Sequence, residues 1–217
     1  EANRLADQVM TSDLPEEERL HLKAEALRRV GRAHVSQGQL AKALEAYALA
    51  HEIRTQRLNG DASTNPAHLR GLANLEHDIA RARSSRKQTK EALEAATLSE
   101  VAANKLPQLG VDGAEVADIL VETMVLEADL HRQLGTLDNA DSGADRGLKM
   151  IDELLAGDAN RVSRQLAKSD FLLIKGDIAR KRKSLSRDGQ TFYESSLAIR
   201  EDLAKGDAQN ALLSIKT

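Results

Sequence analysis

Six histidines are the side chains with most to offer chemistry: His21, His34, His51, His68, His77 and His131. A metal would need several of them, or nearby carboxylates, converging from one helix face or from adjoining turns. His21, His51, His68 and His77 have no such partner at helical ligand spacing. In Glu76-His77-Asp78 the neighbours fan out by about 100° around a helix, so the three cannot close on one ion. No metal site is expected. Nucleophilic catalysis finds no support either: there is no Cys, no Gly-x-Ser-x-Gly elbow and no serine beside a base. Neither a Gly-x-Gly-x-x-Gly run nor a phosphate loop is present, so no nucleotide cofactor is implied. The expectation is a non-catalytic chain with no cofactor.

Two basic runs remain, Arg81-Ala82-Arg83-Ser84-Ser85-Arg86-Lys87 and Arg180-Lys181-Arg182-Lys183 followed by Arg187. Each closes a helical stretch, where cations offset the negative helix end by about 0.3–1 kcal/mol apiece. Nucleic-acid binding is disfavoured because the formal net charge is −3 and no aromatic adjoins the runs for base stacking.

The elements that position these residues read clearly. The chain has 217 residues, 41% hydrophobic and 30% charged, which is enough to bury a core. Tyr47, Phe171, Phe192 and Tyr193 are the aromatics, so the core is built from Leu, Ala, Val and Ile. Without cysteine there is no disulfide, and the compartment stays open, with the cytoplasm favoured. No apolar run reaches the about 20 residues that cross a bilayer. The chain opens on Glu1 and is read as a piece of a longer protein, with flanking domains among its partners.

Ser12 or Asp13 can cap a first helix with Pro15 near its first turn and Glu16, Glu17 and Glu18 behind it. Its apolar stripe runs to about Gln37 and stops at Gly38. A second helix spans about 40–58, and Asn65-Pro66 restarts a third. Further pairs are predicted over about 67–85 with 87–106, 113–134 with 137–156, and 161–184 with 190–205. Residues 1–11 and 209–217 read as parts of flanking helices. No segment alternates like a strand. The fold class is all-α, with about eight to nine helices in one domain over 1–217.

A repeat underlies the pairs. Gly-Asp-Ala running to an Asn occurs from Gly60, Gly157 and Gly206, at separations of 97 and 49 residues. The period is therefore near 49, with one degenerate copy between, and the units fall at about 16–60, 66–110, 113–157 and 160–206. Arrays of this kind bury each unit only against its neighbours and favour a binding surface over a pocket.

Leu27, Val30, Gly31, His34, Gly38, Leu40, Ala43, Tyr47, Ala50 and Ile53 carry the first unit's pattern. It resembles the tetratricopeptide (TPR) family, whose unit of about 34 residues is a helix-turn-helix. Small Gly31, Ala43 and Ala50 are expected where the two helices cross, with Tyr47 filling the groove. The third unit matches with Met124, Ala128, His131, Gly135, Leu137, Ala140, Ala144 and Gly147, and the fourth with Leu172, Gly176, Ala179, Tyr193 and Ile199. The second keeps Ile79, Ala80, Ala92, Ala96 and Ser99 but lacks the turn glycine and the aromatic. The likeness spans about 24–205, and the longer period departs from it. His34 and His131 share a position that is aromatic in the family, and are expected as packed, partly polar core residues.

The resemblance implies a right-handed α-solenoid of antiparallel helix pairs whose concave groove takes a protein or peptide. It would place Arg28, Arg32, Arg81, Arg132, Arg180 and Lys181 along that groove, with Asp129 and Asp177 interrupting the positive stripe. Arginine forks suit an acidic segment or a C-terminal carboxylate. The Lys-plus-Asn clamp of chaperone-binding TPR domains is not reproduced at these positions. The implied role is a scaffold or regulatory module, with a ligand- or peptide-sensing domain of a bacterial multidomain signalling protein as the alternative.

Overall fold

The computed structural model describes residues 14–58, 65–158, 161–182 and 187–206. Within them lie eight helices: α1 Glu16–Ser36, α2 Leu40–Leu58, α3 Pro66–Ser85, α4 Thr89–Asn104, α5 Gly113–Leu134, α6 Leu137–Gly157, α7 Val162–Lys181 and α8 Arg187–Gly206. No strand occurs among the described residues, and no helix there is long and apolar enough to cross a membrane. The expected cap at Ser12 or Asp13, the flanking helices and most of the Gly-Asp-Ala connectors lie outside them.

Local chemistry explains the boundaries. Glu16, Glu17 and Glu18 occupy the first turn of α1, where its dipole is positive. The Asn65 side chain accepts from the N–H groups of Ala67 and His68, and Pro66 pre-sets the first helical φ of α3. Pro107 cannot continue α4, which ends at Asn104 and is followed by a single 3-10 turn, Pro107–Leu109.

Three tight turns share one device. Gly38 and Gly135 take left-handed φ of 72° and 79°, and Lys87 does the same at 61°. In each, the following N–H reaches back to a carbonyl five residues earlier: Gln39 to His34, Gln88 to Arg83, Thr136 to His131, at 2.9, 3.0 and 3.0 Å. Lys87 lies 49 residues after Gly38, so the unit that lacks a turn glycine keeps the turn and bears strain instead. Lys87→Gly should raise unfolding free energy by about 1 kcal/mol, because the left-handed cost of about 1–2 kcal/mol exceeds the added freedom of the unfolded chain. Urea denaturation checks this, and a lower midpoint would contradict it.

The chain forms two compact units whose boundary falls between Ile119 and Leu120, inside α5. In the first, α1 packs on α2, α2 on α3, α3 on α4, and α1 also touches α3. In the second, Val121, Met124 and Ala128 of α5, Ala140, Ala144 and Ile151 of α6, and Phe171, Ile174 and Ile178 of α7 share one core, and α8 packs on α7. At four junctions between consecutive helices a large side chain rests against a glycine. The pairs are Tyr47 on Gly31, Arg54 on Gly71, Phe171 on Gly147 and Tyr193 on Gly176, and a Cβ at each glycine would sit under 3 Å from its neighbour. Tyr47 thus fills the α1–α2 crossing expected of it, and Ala43 and Ala50 are fully buried beside it.

Candidate functional site

The first unit gathers its charges on α1 and α3. Arg28 donates to both oxygens of Glu25, one turn back on α1, and to Asp78 on α3 at 2.8 Å. Arg32 and Arg81 are exposed, and neither guanidinium makes a hydrogen bond or ion pair among the described residues. Both act electrostatically on His77 and Asp78. Arg28, Arg32 and Arg81 therefore come together, with one guanidinium neutralised and two available.

Burial, reinforced by Arg81, Arg32 and Arg28, depresses His77 to about 4, so it is neutral at pH 7. Burial raises Asp78 above its ordinary range against the pull of Arg28. Glu76 points elsewhere: His51 Nε2 lies 2.9 Å from its Oε1, and that contact raises His51. Glu76 and Asp78 thus serve different neighbours, and no metal-holding group of side chains occurs among the described residues.

These histidines set opposite pH slopes. The unfolded chain protonates His77 near 6.5 while the fold resists until about 4, so its contribution makes stability fall as pH drops through that window. His51 is raised, so its contribution is complete below 6.5 and fades as pH rises through its folded value. His77→Gln should flatten the acid limb of urea-unfolding stability between about pH 6.5 and 4. An unchanged acid limb would refute the assignment.

The second unit spends its charges internally. Arg132 donates to Asp129, one turn back, and lies 3.0 Å from Asp177 on α7. Asp177 also accepts from the Tyr193 hydroxyl at 2.8 Å and from Arg180 at 3.4 Å. Lys181 Nζ donates to the Arg132 carbonyl at 2.8 Å. Arg182, next in the basic run, is held by Asp138 and Asp141, and Lys175, earlier on α7, by Asp141 and Asp145. Asp129, Arg132, Asp177, Arg180 and Lys181 are therefore brought together as one bonded network in which aspartates offset the positive charge, with Arg180 and Lys181 at its exposed edge.

Register explains the difference. Arg32, Arg81 and Asp129 each lie six residues before a left-handed turn residue. Asp177 follows Gly176, which carries Tyr193 as Gly31 carries Tyr47. One repeat position thus reads Arg, Arg, Asp, Asp along the chain. Sequence reasoning missed the neutralising Glu25 and Asp78 and the Tyr193 hydroxyl that donates to Asp177; only Glu25 announced itself, by its spacing of three from Arg28.

His34 and His131 are half-buried rather than core. Each ring meets the residue just past its turn, Nδ1 lying 2.9 Å from Gln39 Oε1 and from Thr136 Oγ1 respectively. Their shared position braces the turn.

No family model matches the chain, and no curated protein matches it.

Proposed function

We propose that the chain is a non-catalytic interaction module whose first unit binds an acidic segment or C-terminal carboxylate of a partner protein through Arg32 and Arg81. The observation that carries this reading is the contrast at one repeat position: two exposed, unengaged arginines in the first unit against two engaged aspartates in the second. A guanidinium fork left in water offers paired donors to a carboxylate, whereas Asp177 already holds its own. The surrounding helices are read as TPR-like antiparallel pairs of a right-handed solenoid. Support comes from packing between consecutive helices, the α1–α3 contact and the recurring glycine turns. In that arrangement the module scaffolds or regulates domains attached to it.

Arg32→Glu combined with Arg81→Glu should abolish affinity for an immobilised Asp/Glu-rich peptide with a free C-terminus. Exposed charges of this kind fold as well either way, so the melting temperature should stay within a few degrees. Unchanged affinity in the double variant would remove the proposal.

A further inference from the structure

We propose that the outer face of α4 is an interface on which a second copy of this chain docks antiparallel, about a two-fold axis between Leu98 and Val101. Glu94, Leu98, Val101 and Lys105 are all exposed and fall within an arc of about 60° around the helix, so they form one stripe. Leu98 and Val101 are 52% and 48% exposed. Lys105, the C-cap, keeps right-handed helical backbone angles, which holds it in register with the stripe. A lone exposed leucine would need no explanation. Here an apolar pair is bracketed by opposite charges, and neither the Glu94 nor the Lys105 side chain makes a hydrogen bond or ion pair among the described residues.

The spacing is self-complementary. Leu98 lies as far before the midpoint of Ser99 and Glu100 as Val101 lies after it, and Glu94 as far before it as Lys105 after. A two-fold axis at that midpoint seats Leu98 against the partner's Val101 and Glu94 against the partner's Lys105, and repeats both contacts by symmetry. A parallel pairing would instead set Glu94 on its own copy and Lys105 on its own copy, like charge against like. Charge therefore selects the antiparallel arrangement and fixes its register. Four apolar side chains and two ion pairs make a small interface, so the dimer is a reversible one.

The stripe is particular to α4. The buried small residues Ala50, Ser99, Gly147 and Ser196 align the second helices of the four pairs. In that alignment Leu98 and Val101 correspond to Leu49 and Glu52 on α2, to Arg146 and Lys149 on α6, and to Ser195 and Ala198 on α8. The Lys105 position holds Gln56, Glu153 and Asp202 in the other three units. Packing within a pair thus calls neither for two large apolar residues at these places nor for a cation beyond them. This inference does not depend on the Arg32 and Arg81 reading.

Sedimentation equilibrium of the full chain between about 1 µM and 1 mM should show monomer and dimer with a dissociation constant of about 1–100 µM. The axis makes every change twice, so Glu94→Lys or Lys105→Glu alone should weaken the dimer at least about tenfold. Combining the two exchanges the charges and should restore it to within about threefold. Val101→Glu, the side chain α2 carries there, should abolish dimerisation. Exposed positions tolerate such changes, so circular dichroism should show the native helix content in every variant. The chain has no cysteine, so register can be read separately by disulfide formation. Glu94→Cys mixed with Lys105→Cys should cross-link, whereas Glu94→Cys alone, with its two copies about 16 Å apart along the helices, should not. A chain monomeric throughout, single reversals without effect, a double exchange no better than the singles, or cross-linking of Glu94→Cys alone would overturn the proposal.

Discussion

Phe171→Ala should lower the stability of the second unit by about 3–5 kcal/mol, on a total that for most domains is about 5–15. The ring is fully buried, and its edge rests on Gly147 of α6 where any Cβ would collide with it. Four of the residues that share its core are Ala128, Ala140, Ala144 and Ala167. Alanines cannot swing inward, so the cavity persists and the cost belongs at the upper end of the range. Gly147→Ala should cost about 1–3 kcal/mol in the native chain by overpacking. In the Phe171→Ala background the same change should become neutral or stabilising, because the helix gains about 0.5–1 kcal/mol of propensity and the new methyl enters empty space. Urea titrations of the four proteins in a double-mutant cycle would measure the coupling. Additive losses would mean that the ring and the glycine do not hold each other in place.

Arg54→Met should do the opposite and raise the stability of the first unit by about 1–4 kcal/mol. Arg54 is 1% exposed, and its Nε, Nη1 and Nη2 have no hydrogen-bond partner among the described residues. Glu25 is its nearest acid at 3.8 Å, and that carboxylate is already taken by Arg28 and Arg29 at 3.0 and 3.1 Å. Burial, opposed by Glu25 and aided by Arg28, lowers the guanidinium to about 10. Methionine keeps an unbranched apolar stem and removes the desolvated guanidinium that lies on Gly71, while Glu25 retains two arginines. Arg54→Ala should instead destabilise, since it leaves a void beside Gly71. Thermal and urea unfolding of both variants separate the cases. A Met variant less stable than the native chain would show that the guanidinium is engaged after all.

Most helix limits were legible because their causes are local. The Asn65-Pro66 start and the Gly38 and Gly135 stops rest on cap bonds and on a backbone angle that glycine adopts freely. Tyr47 against Gly31 was legible too, since a lone aromatic near a small residue in the paired helix has one place to go. Other features had no local cause to read. Lys87 adopts a glycine's angle because the packing of α3 against α4 demands the turn. Arg54 breaks the rule that arginines stay exposed, and only the hollow over Gly71 explains it.

The same division runs through the charges. The sequence alone determined where helices begin and stop, the all-α class, the near-49 register and which positions carry Arg or Asp, because periodicity and capping act within a few residues. It could not decide which of those charges remain available. That depends on Coulombic partners 45 to 50 residues away, Asp177 for Arg132 and Asp78 for Arg28. Ion pairing acts over a few ångströms of space, and only the packed helices bring such distant residues within that reach.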